Sequence, residues 1–144
     1  MKGFLAKCVP LFNESSKQGF RAGLISWFAE SIVINPSVLF SPYVSFEEID
    51  DTHVKATVTY QGVSGSGIIT FNEEGAITEF YSDERQEEII DGEMMKLGWK
   101  CYCENYEERN GIKMITKVRS TKVFPNGKEL VYFESDNFTV EYLK

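Results

Sequence analysis

A chain of 144 residues with 42% hydrophobic and 14% aromatic content has the length of one domain and too much apolar surface to remain disordered. Its 22 acidic residues against 15 basic ones leave a net charge of -7, and no cluster of Lys or Arg offsets it. That balance argues against nucleic acid and against anionic membrane surfaces as partners. No apolar run approaches the ~20 residues of a membrane span, and residues 1–10 are too short and mixed for a signal peptide. The expected chain is therefore soluble, cytoplasmic, or extracytoplasmic if a targeting segment precedes it.

Residues 1–13 begin with Phe4, Leu5, Val9, Leu11 and Phe12 around one proline, which predicts a short strand or extended arm. Ser15 with Gln18 three residues later fits a capping box and starts a helix. Phe20, Leu24, Phe28 and Ile32 then recur at every fourth position, and Ile25, Trp27, Ala29 and Val33 widen the stripe. A face this broad predicts a helix covered on more than one side. It ends at Asn35, because Pro36 disfavours helical geometry in the residue before it. Asn35 is placed to cap a second, short helical turn from Pro36 to Leu39, which Pro42 ends in the same way.

The period then changes from 3.6 to 2. One strand is read over residues 43–49, and 53–60 alternates with Val54, Ala56, Val58 and Tyr60 on one face. Residues 61–66 read as a turn, 67–71 as the returning strand, 72–75 as a turn and 76–82 as a strand. Three more strands are read over 99–107, 112–124 and 129–143, joined at Asn110-Gly111 and Asn126-Gly127, the strongest short-range hairpin signal. The acidic run from Asp83 to Glu93, with Arg85 its one basic residue, reads as a solvated loop. An apolar helix ahead of an antiparallel meander must pack on that meander to stay dry. The fold class is α+β: about seven strands in a curved, half-barrel-like sheet on one main helix, as a single domain over 1–144.

Chemical motifs are sparse. Gly62, Gly65 and Gly67 resemble a phosphate loop only in spacing, since they lead into a strand and not into a helix whose amides could bind an anion. Cys101 and Cys103 share a strand face ~6.5–7 Å apart, too far for an easy bridge, and read as reduced core thiols beside a distant Cys8. With one histidine in the chain, no metal or cofactor is expected. His53 falls on the Lys55 and Thr57 face, where no Ser or Cys calls on it as a base. Glu30 has the apolar neighbours Phe28, Ala29 and Ile32, so it reads as partly buried and in need of a partner such as Arg85, Arg21 or a backbone amide. Asn137-Phe138-Thr139 matches a glycosylation acceptor inside a strand. The aromatic residues Trp27, Phe28, Phe40, Tyr43, Phe46, Phe71, Phe80, Trp99, Tyr132 and Phe133 fill a core or, in surplus, line a cavity.

Taken together, RAGLISWFAESIVINPSVLF, EEIDDTHVKATVTYQG, ITFNEEGAITEFYSDER and GWKCYCENYEERNGIKMITKVRSTKVFPNGKELVYFE resemble an uncharacterised bacterial family. Its pattern runs R-x-L-A-E, a proline corner, W-x-x-I-D-D, F-x-x-x-G-x-I, D-R, P-W and D-Y-x-x-x-x-G. The positions here that match are Glu30, Pro36, Asp50, Asp51, Arg85, Trp99, Tyr106 and Gly111. Phe46 stands where the family has Trp, Gly98 replaces the Pro before Trp99, and Ile115-Thr116 replaces Ile-Pro. The resemblance implies a helix-then-meander domain that is either a short member or the C-terminal half of longer members, which carry a β-rich N-terminal portion and in some cases a membrane anchor. The helix-then-meander organisation is similar, at the level of fold alone, to half-barrel lipoprotein carriers whose apolar concave face holds acyl chains.

The expected function is non-enzymatic: binding of an apolar ligand, a lipid or acyl chain, between helix and sheet. The expected lining is Trp27, Phe28, Val33, Phe40, Phe46, Phe80 and Trp99, with Glu30, Asp50 and Arg85 as polar candidates. The alternative is a structural or protein-interaction module that pairs with an N-terminal half or a second copy. A third reading, hydrolysis by Glu30 or Asp50 with Arg85, requires those groups to meet in one cleft.

Overall fold

The computed structural model describes residues 2–5, 9–13, 17–90, 93–109 and 111–136. Cys8, the Ser15 cap and the Asn137 acceptor lie outside these residues. Strands β1 (Lys2–Leu5) and β2 (Val9–Asn13) form an antiparallel pair. Helix α1 (Lys17–Ile34) leads into a short 3-10 helix, Pro36–Phe40. Seven antiparallel strands follow in chain order: β3 (Val44–Glu48), β4 (His53–Tyr60), β5 (Val63–Phe71), β6 (Ile77–Ile90), β7 (Glu93–Arg109), β8 (Ile112–Val123) and β9 (Glu129–Asp136). The sheet is open and not closed into a barrel: β3 forms one edge and β9 the other.

The helix stops where the sequence dictates. The Asn35 amide makes the last bond, 2.7 Å to the Ser31 carbonyl, and Pro36 has no N–H to continue the ladder. Asn35 does not cap the 3-10 turn through its side chain; its Oδ1 accepts instead from the Ser37 hydroxyl at 2.7 Å. Helix α1 packs on β4, β5 and β6. Ala22, Leu24, Ile25, Phe28, Ala29 and Ile32 are buried, but Trp27 and Ile34 are half exposed. Among the described residues the helix is thus covered on one face, and the breadth of its apolar stripe does not translate there into a second packed layer.

Beneath it the sheet contributes Ala56, Val58, Ile69, Ile77, Phe80, Trp99, Cys101, Cys103, Ile115 and Val118. Phe80 anchors this core. Its ring meets Phe28 edge-on at 5.9 Å and Trp99 at 6.1 Å, contacts worth ~0.5–1.5 kcal/mol each beyond their burial. The glycines of the motif-like run make the closeness possible. The two-residue turn is Gln61-Gly62, both with positive φ (50° and 75°), so β5 already begins at Val63 and not at residue 67. Gly65 and Gly67 lie within β5, where a Cβ on Gly65 would stand 2.4 Å from Ile25 Cγ1. The opposite face of the sheet carries charge. Lys100 meets Glu79 at 3.2 Å and Glu129 at 3.5 Å, and the Tyr102 hydroxyl donates to Glu129, as expected for a sheet with one solvated face.

The acidic run is not a loop. Residues 83–90 continue β6, which pairs with a β7 that starts at Glu93, six residues ahead of the expected start at Trp99. Between the pairs Ser82–Trp99 and Gln86–Leu97, the residues Asp83, Glu84 and Arg85 stand opposite the single Gly98. From this bulge two side chains reach α1. Glu84 bonds Arg21 of the helix at 2.6 Å and accepts the Ser66 amide at 3.0 Å. The neighbouring Arg85 donates from Nε to the Ser26 hydroxyl at 2.9 Å. Polar composition suggested solvation, whereas the charges are used to grip the helix.

Candidate functional site

Of the clefts that border α1, two hold aromatic residues expected to line a cavity. The first lies between the first half of the helix and the β3–β4 edge, with a volume of about 450 Å³. Phe20, Leu24 and Trp27 form its helix wall; Val44, Val58, Tyr43 and Tyr60 form the other, with Gly23 and Ser41 completing it. Tyr43 and Tyr60 pack edge-on at 5.6 Å, and both are exposed, as is Trp27 at 51%. The proline corner positions this wall: the 3-10 helix half-buries Val38 and Leu39 on the core, then Pro42 directs Tyr43 back to the helix. The lining presents almost no polar group.

The second cleft, about 520 Å³, lies on the other flank of α1, over β7, β8 and β9. Glu30, Val33 and Ile34 face Trp99, Cys101, Val118 and Phe133 across it. Arg85 and Tyr132 close one side. Arg85 stands over Trp99, its guanidinium carbon 4.9 Å from the ring centroid, and donates from Nη1 to the Tyr132 hydroxyl at 3.1 Å. The Trp99 indole N–H donates to the same hydroxyl. A bulge in β9 opposite Ser120 and Thr121 brings Tyr132 to this position.

The residues expected to line a cavity therefore divide. Trp27 belongs to the first cleft; Val33 and Trp99 belong to the second. Phe28 and Phe80 are core residues that face each other and close the floor. Phe40 is 91% exposed because the 3-10 turn points it outward, and Phe46 is half exposed on the edge strand β3; neither lines these two clefts. Of the polar candidates, Glu30 is exposed and makes no ion pair with Arg85 or Arg21, which correct the expectation of a buried, paired carboxylate.

Asp50 lies apart from both clefts, in the turn between β3 and β4. Its carboxylate accepts the Thr52 and His53 amides, each at 2.9 Å, and faces His53 Nδ1 at 2.8 Å. The Thr52 backbone bond, then the His53 contact, draws its pKa down to about 2. Of the two pairings that hydrolysis could use, Asp50 with Arg85 shares neither of these clefts, whereas Glu30 and Arg85 line the same one. Cys101 and Cys103 are buried and reduced. The hydrogen bond from Cys103, and a second from Ser120, hold the Cys101 thiol below its usual pKa, while the same pairing and burial push Cys103 well above it. Among the described residues no cluster of three or more His, Cys, Asp or Glu could hold a metal ion, and no helix is long and apolar enough to cross a membrane.

Tyr43 and Tyr132 stand in the aromatic surplus but not in the expected lining, and Tyr60 stands in neither. Alternation put Tyr60 on the correct face, but Tyr132 reaches its cleft only through a bulge that no period announces.

The helix, the proline corner and the meander thus occur in the order of the family pattern, and residues 1–135 match the model of a family described as of unknown function, DUF6544. The chain belongs to the DUF6544 family. No curated protein and no solved structure matches it. What a DUF6544 domain of this kind does must therefore be argued from its own clefts.

Proposed function

We propose that this DUF6544 domain binds an apolar ligand, a lipid or acyl chain, in the first cleft and performs no chemistry on it. The observation that carries the reading is the carbon lining around Trp27: about 450 Å³, within the ~300–1,000 Å³ typical of ligand sites, with three aromatic rings at its mouth left half exposed. Exposed aromatics at the rim of a cleft lose little entropy on contact and gain on being covered. None of the residues that line this space is Asp, Glu, His, Lys, Arg or Cys, which favours binding over catalysis.

Native mass spectrometry of gently purified protein tests this reading, together with thermal unfolding in the presence of long-chain alcohols. The expected result is a copurified apolar molecule and a rise in Tm that Trp27→Ala removes. Protein that carries no such molecule and gains no stability from the alcohols overturns it.

One observation favours a second reading, an interaction module. Leu130, Val131, Tyr132 and Phe133 are all about half exposed on β9, the edge strand of the sheet, where main-chain groups can pair with another strand. A concentration-dependent dimer in sedimentation, formed without ligand and lost in Val131→Lys, would favour this over the apolar-ligand reading.

A further inference from the structure

We infer that the second cleft is a receptor site for an amphiphile with a carboxylate head and an apolar tail, the head bound by Arg85. The inference is independent of the first cleft. It begins with the charge balance around one side chain. In a chain with an excess of acids, Arg21 meets Glu84, Arg109 meets Glu107 and Arg119 meets Glu104. Among the described residues Arg85 is the one arginine with no carboxylate partner. Its sequence neighbours are acidic, yet Glu84 is committed to Arg21 and Asp83 to Lys96 at 3.2 Å.

Arg85 is nevertheless held in place. Ser26 accepts from Nε, Tyr132 accepts from Nη1, and the Trp99 ring lies under the guanidinium. All three partners are neutral. They fix the orientation of the group without satisfying its charge, and they use two of its five N–H donors. A planar cation pre-oriented at the wall of a cleft, with donors left over, matches a carboxylate, which can accept two parallel bonds from it. Water is displaced from one side by the Trp99 ring, which strengthens the charge-assisted bond.

The remainder of the cleft specifies a tail. Val33 and Ile34 on one side and Val118 and Phe133 on the other are aliphatic or aromatic, around about 520 Å³. A bare anion would leave that surface wet. Glu30 shares the cleft and opposes an anionic head, so its charge sets an upper limit on affinity.

The test compares decanoate with decanol, which differ only in the head, by calorimetric titration of the full chain. Decanoate should bind tighter, and Arg85→Gln should weaken decanoate by about 10–100-fold, as expected for bonds to a charged group, while leaving decanol unchanged. Glu30→Gln should tighten decanoate. Trp27→Ala should leave the decanoate-over-decanol preference intact, which separates this site from the first cleft. A readout on the unmodified protein is the Arg85 Nε–H resonance, which should shift with decanoate and not with decanol. Equal binding of the two probes, or an Arg85 signal indifferent to decanoate, overturns the proposal; loss of the preference in Trp27→Ala alone does the same.

Discussion

Phe80 occupies the space in which any side chain on Gly67 would stand: a Cβ there would lie 2.2 Å from Phe80 Cζ and 2.6 Å from Cε2. The ring cannot retreat, because Phe28 and Trp99 back it on two sides. Gly67→Ala should therefore destabilise the fold by about 1–3 kcal/mol, the usual cost of overpacking, read as a lower urea midpoint. Phe80→Ala should cost about 3–5 kcal/mol by leaving a cavity. An unchanged midpoint in Gly67→Ala would refute the packing argument.

The Tyr106 hydroxyl donates to the Ile77 carbonyl at 2.6 Å, a contact that ties β7 to the start of β6. Tyr106→Phe leaves that carbonyl without its partner and should cost about 1–3 kcal/mol. Burial pushes the phenol above its ordinary pKa of 10.0. The unfolded chain therefore ionises first as pH rises, and stability should fall from about pH 10 upward. In Tyr106→Phe this part of the alkaline loss should disappear.

Asp50 behaves oppositely. Its folded pKa of about 2 lies below the ordinary 3.8, so its contribution is present above 3.8 and is lost as pH falls through 2. A carbon-detected NMR titration should place its midpoint near 2. Asp50→Ala should hasten hydrogen exchange at the Thr52 and His53 amides, which the carboxylate accepts. A midpoint near 4 would remove the turn from this account.

The two thiols should differ in reactivity. Cys101 lines the second cleft and its thiol is shifted down, whereas Cys103 is shifted up. The thiolate is the nucleophile, so limited treatment with iodoacetamide followed by peptide mapping should label Cys101 first. Equal labelling would show that both react only after global opening.

The meander was legible because period-2 alternation and Asn-Gly turns are local signals. The hydrophobic helix and its stop at Pro36 were equally plain. Residues 83–90 were misjudged because composition reports affinity for water, not whether a charge has a partner; Glu84 and Arg85 find theirs on α1, about sixty positions earlier in the chain. Phe40 and Phe46 look like core residues in a list, but a 3-10 turn and an edge strand decide where they point. Trp27 and Arg85 were identifiable as site candidates by type. That they belong to different clefts follows only from the helix lying between them.

The bulge at Asp83, Glu84 and Arg85 carries a surplus of two residues over its partner strand. An even surplus keeps Ser82 and Gln86, which pair on either side of the bulge, on the same face of β6. Excising one residue would invert every position beyond it, whereas excising two would restore a straight ribbon that still folds but lets go of the helix. Natural length variation at this place should therefore come in pairs.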